Sequence, residues 1–139
     1  MPKLSRWFIK AGLIYFVLAL LVGLLLAGAG FIQLPSLVNG LTPVYFHLFM
    51  VGWITQLIFG VANWMFPIFN REEPRGNETL GWTTFLLLNV GLILRGISEP
   101  MLMTDNITLW GTVMTVSALL LSAAGALFVA NTWNRVKGR

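Results

Sequence analysis

His47 is the only histidine in this 139-residue chain, and it sits in "TPVYFHLFMVGW", residues 42–53, an otherwise apolar stretch. A titratable ring is costly to keep in such surroundings without a partner, and ionisable residues within membrane segments mark functional sites. The neutral ring is a ligand for iron; the plainer alternative is an interfacial imidazole bonded to water or to a backbone carbonyl. Arg95 and Glu99 lie four residues apart on a third apolar segment. They suit an intrahelical ion pair, or an arginine left to meet an anionic group or lipid headgroup. Gln56, Asn63 and Asn89 are amides that need partners in an apolar phase, as interhelical hydrogen-bonders or, alternatively, in a quinone or proton path. No carboxylate falls in the centre of a segment, where a proton path would want one. The chain has no cysteine, which removes disulfides, iron–sulfur clusters and thiolate metal sites.

The elements that position these residues follow from composition. Apolar residues make up 57% of the chain and charged residues 10%, with a mean hydropathy of +0.79. A soluble domain of this size could not bury so much apolar surface. Four apolar segments, 11–32, 43–69, 79–98 and 108–131, each approach the roughly 20 residues an α-helix needs to cross a bilayer. The expected fold is therefore all-α: one transmembrane domain over residues 1–139, a four-helix bundle in the lipid bilayer. The first segment follows Lys3, Arg6 and Lys10 but is longer than a signal-peptide core, so it is read as a helix.

Basic residues set the expected orientation. Lys3, Arg6, Lys10, Arg71, Arg75, Arg135, Lys137 and Arg139 fall on one side, leaving Arg95 as the exception. The positive-inside rule makes that side, with both termini, cytoplasmic. Topology thus accounts for the net charge of +4, and no nucleic-acid partner is needed. Thr42-Pro43 reads as a helix cap followed by a first-turn proline, Pro67 as a kink or exit near the end of the second segment, and Glu99-Pro100 as the end of the third. The tryptophans at 7, 64, 82, 110 and 133 lie near the segment ends, as interfacial anchors do. Asn106-Ile107-Thr108 matches a glycosylation acceptor, a pattern frequent by chance.

Turning the second segment at 100° per residue puts Gly52, Gln56, Gly60 and Asn63 on one face, and small residues with amides belong against neighbouring helices. His47 then shares the other face with Val51, Ile54, Ile58, Val61 and Met65, looking out of its own bundle. By depth, His47, Arg95 and Glu99 occupy one layer of the outer leaflet. Thr112, Thr115, Ser117 and Ser122 on the fourth segment are expected to bond back to their own helix.

"HLFMVGWITQLIFGVANWMFP", His47 to Pro67, resembles the second helix of the heme–copper oxidase subunit I superfamily, closest to its cbb3-type oxidase and nitric oxide reductase branch. There a histidine precedes a Gly-Trp pair, here Gly52-Trp53, on an aromatic, small-residue helix ending in proline. The first segment, "MPKLSRWFIKAGLIYFVLALLVGLLLA", is similar to the first helix of short four-helix relatives of that subunit. The resemblance implies that His47 is an axial ligand of heme b, and depth and charge suggest Arg95 as a propionate partner. It departs from the family where four helices and a single histidine replace twelve helices and several histidines. A copper site or binuclear centre is therefore not expected, nor is an oxygen or nitric oxide reductase.

The subunit's layout of three four-helix arcs implies that a four-helix chain could form a homotrimer, with a homodimer as the alternative. One histidine per chain leaves either two symmetry-related rings on one iron or a single ring with an open face. Met50 cannot straddle a heme with His47 from the same helix, and Met65 lies far deeper. The expected role is electron transfer or gas binding in a bacterial or archaeal cytoplasmic membrane, beside a respiratory-chain partner. The rival expectation is a cofactor-free accessory or scaffold subunit of a respiratory membrane complex.

Overall fold

The computed structural model describes residues 1–29, 31, 36–71, 74–103 and 106–136. Four helices, α1 (Lys3–Gly28), α2 (Leu41–Met65), α3 (Glu78–Met101) and α4 (Ile107–Thr132), are each long and apolar enough to cross a membrane. A helical turn at Ser36–Asn39 precedes α2, and a 3-10 turn at Trp133–Arg135 extends α4. The expected all-α, four-segment organisation stands.

Boundaries differ from expectation for local reasons. α1 begins at Lys3 rather than residue 11, so Lys3, Arg6 and Lys10 are helical; long cationic side chains on an exposed face do not stop a helix. α2 starts at Leu41 after Gly40, so Thr42 is not its cap and Pro43 sits inside the first turn, where its missing N–H costs nothing. α2 ends at Met65, not residue 69, because Phe66 precedes a proline and is driven to φ −62°, ψ 147°. α3 opens one residue before the expected 79, with Asn77 as its cap; the Asn77 Oδ1 accepts from the Leu80 N–H at 3.1 Å. It also runs through Glu99-Pro100 to Met101. α4 starts at Ile107 after Asn106, as anticipated. Lys137 and Arg139, used in the sequence reading, lie outside the described residues.

The closest backbone approaches follow chain order, α1 on α2, the first half of α2 on α3, and α3 on α4. α4 also reaches α2, where Phe128 stacks on Phe59 at 3.7 Å, and the outer members α1 and α4 bury the least of their apolar windows. Close approach along the α1–α2 seam rests on glycines. A Cβ on Gly52 would come within 2.8 Å of Tyr15, and one on Gly60 within 3.0 Å of Phe8. One core cluster joins Leu4 and Phe8 of α1 to Leu88 of α3 and Ala124 of α4, with Phe8 edge-on to Phe85 at 5.1 Å. A second joins Ala19 to Val44 and Leu48.

Polar groups inside this apolar frame find each other. Gln56, fully buried, and Asn89 exchange amide hydrogen bonds between α2 and α3 at 3.2 and 3.5 Å. Asn63 donates to the Ser5 hydroxyl at 3.0 Å, tying α2 to α1. These amides are interhelical bonders, as read from the sequence. Thr112 and Thr115 bond back to their own helix, whereas Ser117 donates across to the Gly91 carbonyl of α3 at 2.7 Å.

The tightest polar cluster was read from the sequence only as topological charge. Arg135 has no exposed surface. Its guanidinium donates to the carbonyls of Asn63 (3.0 Å), Phe66 (3.0 Å), Pro67 (3.1 Å) and Arg75 (3.2 Å), and to the Asn63 side-chain oxygen at 3.3 Å. Pro67 has no N–H, so the Asn63 carbonyl has lost its partner four residues on; Arg135 replaces it. A cation also belongs at a helix C-terminus. Arg135→Leu, which strands several of these carbonyls, is expected to cost about 3 kcal/mol or more. Unfolding in detergent should show a clearly lowered midpoint. Arg135→Lys should recover only part of it, since an ammonium with three donors cannot serve five acceptors.

Candidate functional site

The middle of α2 is not α-helical. Leu48–Thr55 forms a π-helical stretch with wider turns, and the Thr55 hydroxyl donates to the Met50 carbonyl five residues back at 2.9 Å. π segments are rare and frequent at functional sites. Here the stretch begins immediately after His47. More residues per turn means that a phase extrapolated at 100° per residue drifts across it.

That drift corrects one expectation. Gln56, Gly60 and Asn63 are buried as expected, and Ile58, Val61 and Met65 of the opposite stripe are exposed. His47, however, does not look freely outward with them. It leans on α3, where its Nδ1 lies 3.0 Å from Glu99 Oε1, with 30% of its side chain still exposed. The same Nδ1 lies 2.9 Å from the Pro43 carbonyl of its own helix. A carbonyl only accepts, so Nδ1 carries the hydrogen, and in a neutral ring the lone pair then lies on Nε2. Nε2 has no partner among the described residues. A ligating histidine has this arrangement, its second nitrogen donating to a carbonyl or carboxylate that fixes tautomer and orientation.

Arg95 and Glu99 meet, as their spacing suggested: Arg95 Nε is 3.5 Å from Glu99 Oε1. The sequence thus placed His47, Arg95 and Glu99 in one layer, and the structure joins them as a chain of contacts. It missed Glu99 as the group that holds the imidazole. Reading α3 as ending at Glu99-Pro100 set that carboxylate at an exposed helix end, whereas it is buried within the helix. Pro100 gave the opposite signal, since a proline ordinarily ends a helix at the preceding residue, yet α3 runs on to Met101.

Two buried atoms of this cluster are short of hydrogen-bond partners, Glu99 Oε2 and Arg95 Nε. At 3.5 Å the Arg95–Glu99 contact is an ion pair rather than a formed hydrogen bond. Arg95 therefore has donor capacity to spare, and no described residue takes the hydrogens of its Nη atoms. Met50 and Met65 are 53% and 70% exposed. Among the described residues no three His, Cys, Asp or Glu side chains gather, so a single chain offers one imidazole at this site.

No family model matches the chain, and no curated protein or solved structure matches it either. The site is accordingly defined by its own geometry.

Glu99→Leu removes the carboxylate from both His47 and Arg95 and leaves a half-buried cation unpaired. The expected loss is about 2 kcal/mol of stability, below the range for a fully buried pair because Arg95 keeps some exposure. Adding Arg95→Met should restore most of it, giving a clear coupling energy in a double-mutant cycle. Additive losses would show that the pair is not energetically joined.

Proposed function

We propose that this chain is a membrane heme b protein with His47 as the axial ligand through Nε2, acting in electron transfer or gas binding. The observation that carries the reading is the pair of acceptors, a carbonyl and a carboxylate, that face Nδ1 and so direct Nε2 of a neutral ring toward a ligand. Arg95 is the propionate partner in this reading, with an unfilled donor at Nε as its support. Bound heme would supply one-electron redox chemistry or an iron face open to a small gas. The chain's own residues then do three things. Pro43 and Glu99 keep the proton on Nδ1 and set the ring plane. Arg95 neutralises negative charge beside Glu99. The apolar residues flanking His47, with Phe46 57% exposed, exclude water.

The four spanning-length helices match in number the layout implied by the resemblance to one four-helix arc of the heme–copper oxidase subunit. In our reading several copies meet around His47, as a trimer with one ring per iron or a dimer with two. The chain would sit in a bacterial or archaeal cytoplasmic membrane with its termini inside and pass electrons to or from a respiratory partner. One observation favours a second reading, a cofactor-free accessory subunit: His47, Glu99 and Arg95 already engage one another without a further group.

Absorption spectroscopy separates the two. Protein purified from heme-replete cells should carry a Soret band that yields a b-type pyridine hemochrome, and His47→Ala should abolish it. Carbon monoxide should shift the band of a one-ring site and leave a two-ring site unchanged. A colourless wild-type protein would overturn the heme reading in favour of the accessory subunit.

A further inference from the structure

At the start of α1, Lys3, Arg6, Trp7 and Lys10 line a concavity of about 250 Å³. Their spacing of three, four and seven residues puts them on one helix face. Among the described residues no carboxylate pairs with any of the three cations, and the first turn of α1 contains no acidic residue. Both facts are unfavourable in isolation. Like charges one turn apart repel, and cations at a helix N-terminus oppose its dipole. An anion shared by the three side chains would relieve both.

The same face continues directly into an apolar surface. Leu13, Ile14, Val17 and Leu18, at the following helical positions, form a shallow, open apolar patch. All four are exposed, from 42% to 62%. A cationic concavity that passes without interruption into an open apolar face along a spanning helix is complementary to a molecule with a negative head and a hydrocarbon tail. Trp7, 54% exposed between the cations, has the amphipathic ring found at the headgroup level.

We propose that this face of α1 is a binding site for an anionic glycerophospholipid, its phosphate held by Lys3, Arg6 and Lys10 and one acyl chain along Leu13–Leu18. This assignment is independent of any cofactor at His47. Basic clusters next to spanning helices recognise acidic lipid headgroups through the same charge attraction.

Native mass spectrometry of the full chain in detergent tests it. Dioleoylphosphatidylglycerol and dioleoylphosphatidylcholine share their acyl chains, so their difference reads the headgroup. Wild-type protein should retain the phosphatidylglycerol adduct at lipid concentrations at least about fivefold lower, the effect of one basic residue. In the Lys3→Gln, Arg6→Gln, Lys10→Gln triple variant the two lipids should bind alike, while Arg71→Gln, which removes an exposed charge elsewhere, should keep the preference. Glycerol 3-phosphate at equal concentration should not displace phosphatidylglycerol. Equal binding of the two lipids by the wild type would overturn the proposal. So would a preference surviving in the triple variant, an equal loss in Arg71→Gln, or displacement by glycerol 3-phosphate, which would mark a phosphate site without a lipid groove.

Discussion

Arg135 fills a gap that Pro67 leaves in the hydrogen bonding of α2, and much of the fold is organised around that contact. The proline ends the helix and takes away the donor that the Asn63 carbonyl would otherwise meet. A guanidinium from the far end of the chain supplies it, with further bonds to Phe66, Pro67 and Arg75. Asn63 meanwhile reaches Ser5, so α1, α2, the loop before α3 and the end of α4 converge on one cluster. In an apolar medium no water can serve these groups, and each unpaired carbonyl would be expensive. The same rule explains the Gln56–Asn89 pair and the bond from Ser117 to the Gly91 carbonyl.

The rule treats the His47 layer differently. There the polar groups are gathered but not saturated: one imidazole nitrogen, one carboxylate oxygen and one guanidinium nitrogen have no formed bond among the described residues. A structural cluster such as that around Arg135 closes on itself, because five acceptors meet five donors in fixed geometry. The His47 cluster leaves hydrogen-bonding capacity unused beside a partly exposed imidazole. Buried polar groups in native proteins are nearly always satisfied; Arg75 Nε beside Arg135 is also unmet, and what sets the His47 layer apart is that its unmet groups adjoin a partly exposed imidazole.

The sequence made some of this plain and hid the rest. Four spans were readable because length and apolarity decide them without tertiary context. The buried face of lower α2 was readable because Gly60, Gln56 and Asn63 recur at helical spacing. The bearing of His47 was not, since the π stretch that shifts it has no composition of its own: "LFMVGWIT" reads like any apolar helix. Arg135 could not be anticipated in detail, because its acceptors lie some 60 to 72 residues upstream. Pro67 did announce an orphaned carbonyl at Asn63, and that was the clue to look for a donor. Glu99 was misjudged because proline was taken as a stop, whereas α3 carries it in its last turn.

The widened turns between Leu48 and Thr55 act as slack in an otherwise rigid shaft. From Gly52 downward, the glycine seam with α1 fixes which way the shaft faces; above it, Glu99 does. An uninterrupted α-helix would slave one bearing to the other. Each residue gained or lost between Leu48 and Val51 re-aims the imidazole by about 100° while Gly52 and Gly60 stay seated. Lineages of this protein could therefore re-point the ring toward a new neighbour by a single-codon insertion or deletion, leaving the membrane frame as it was.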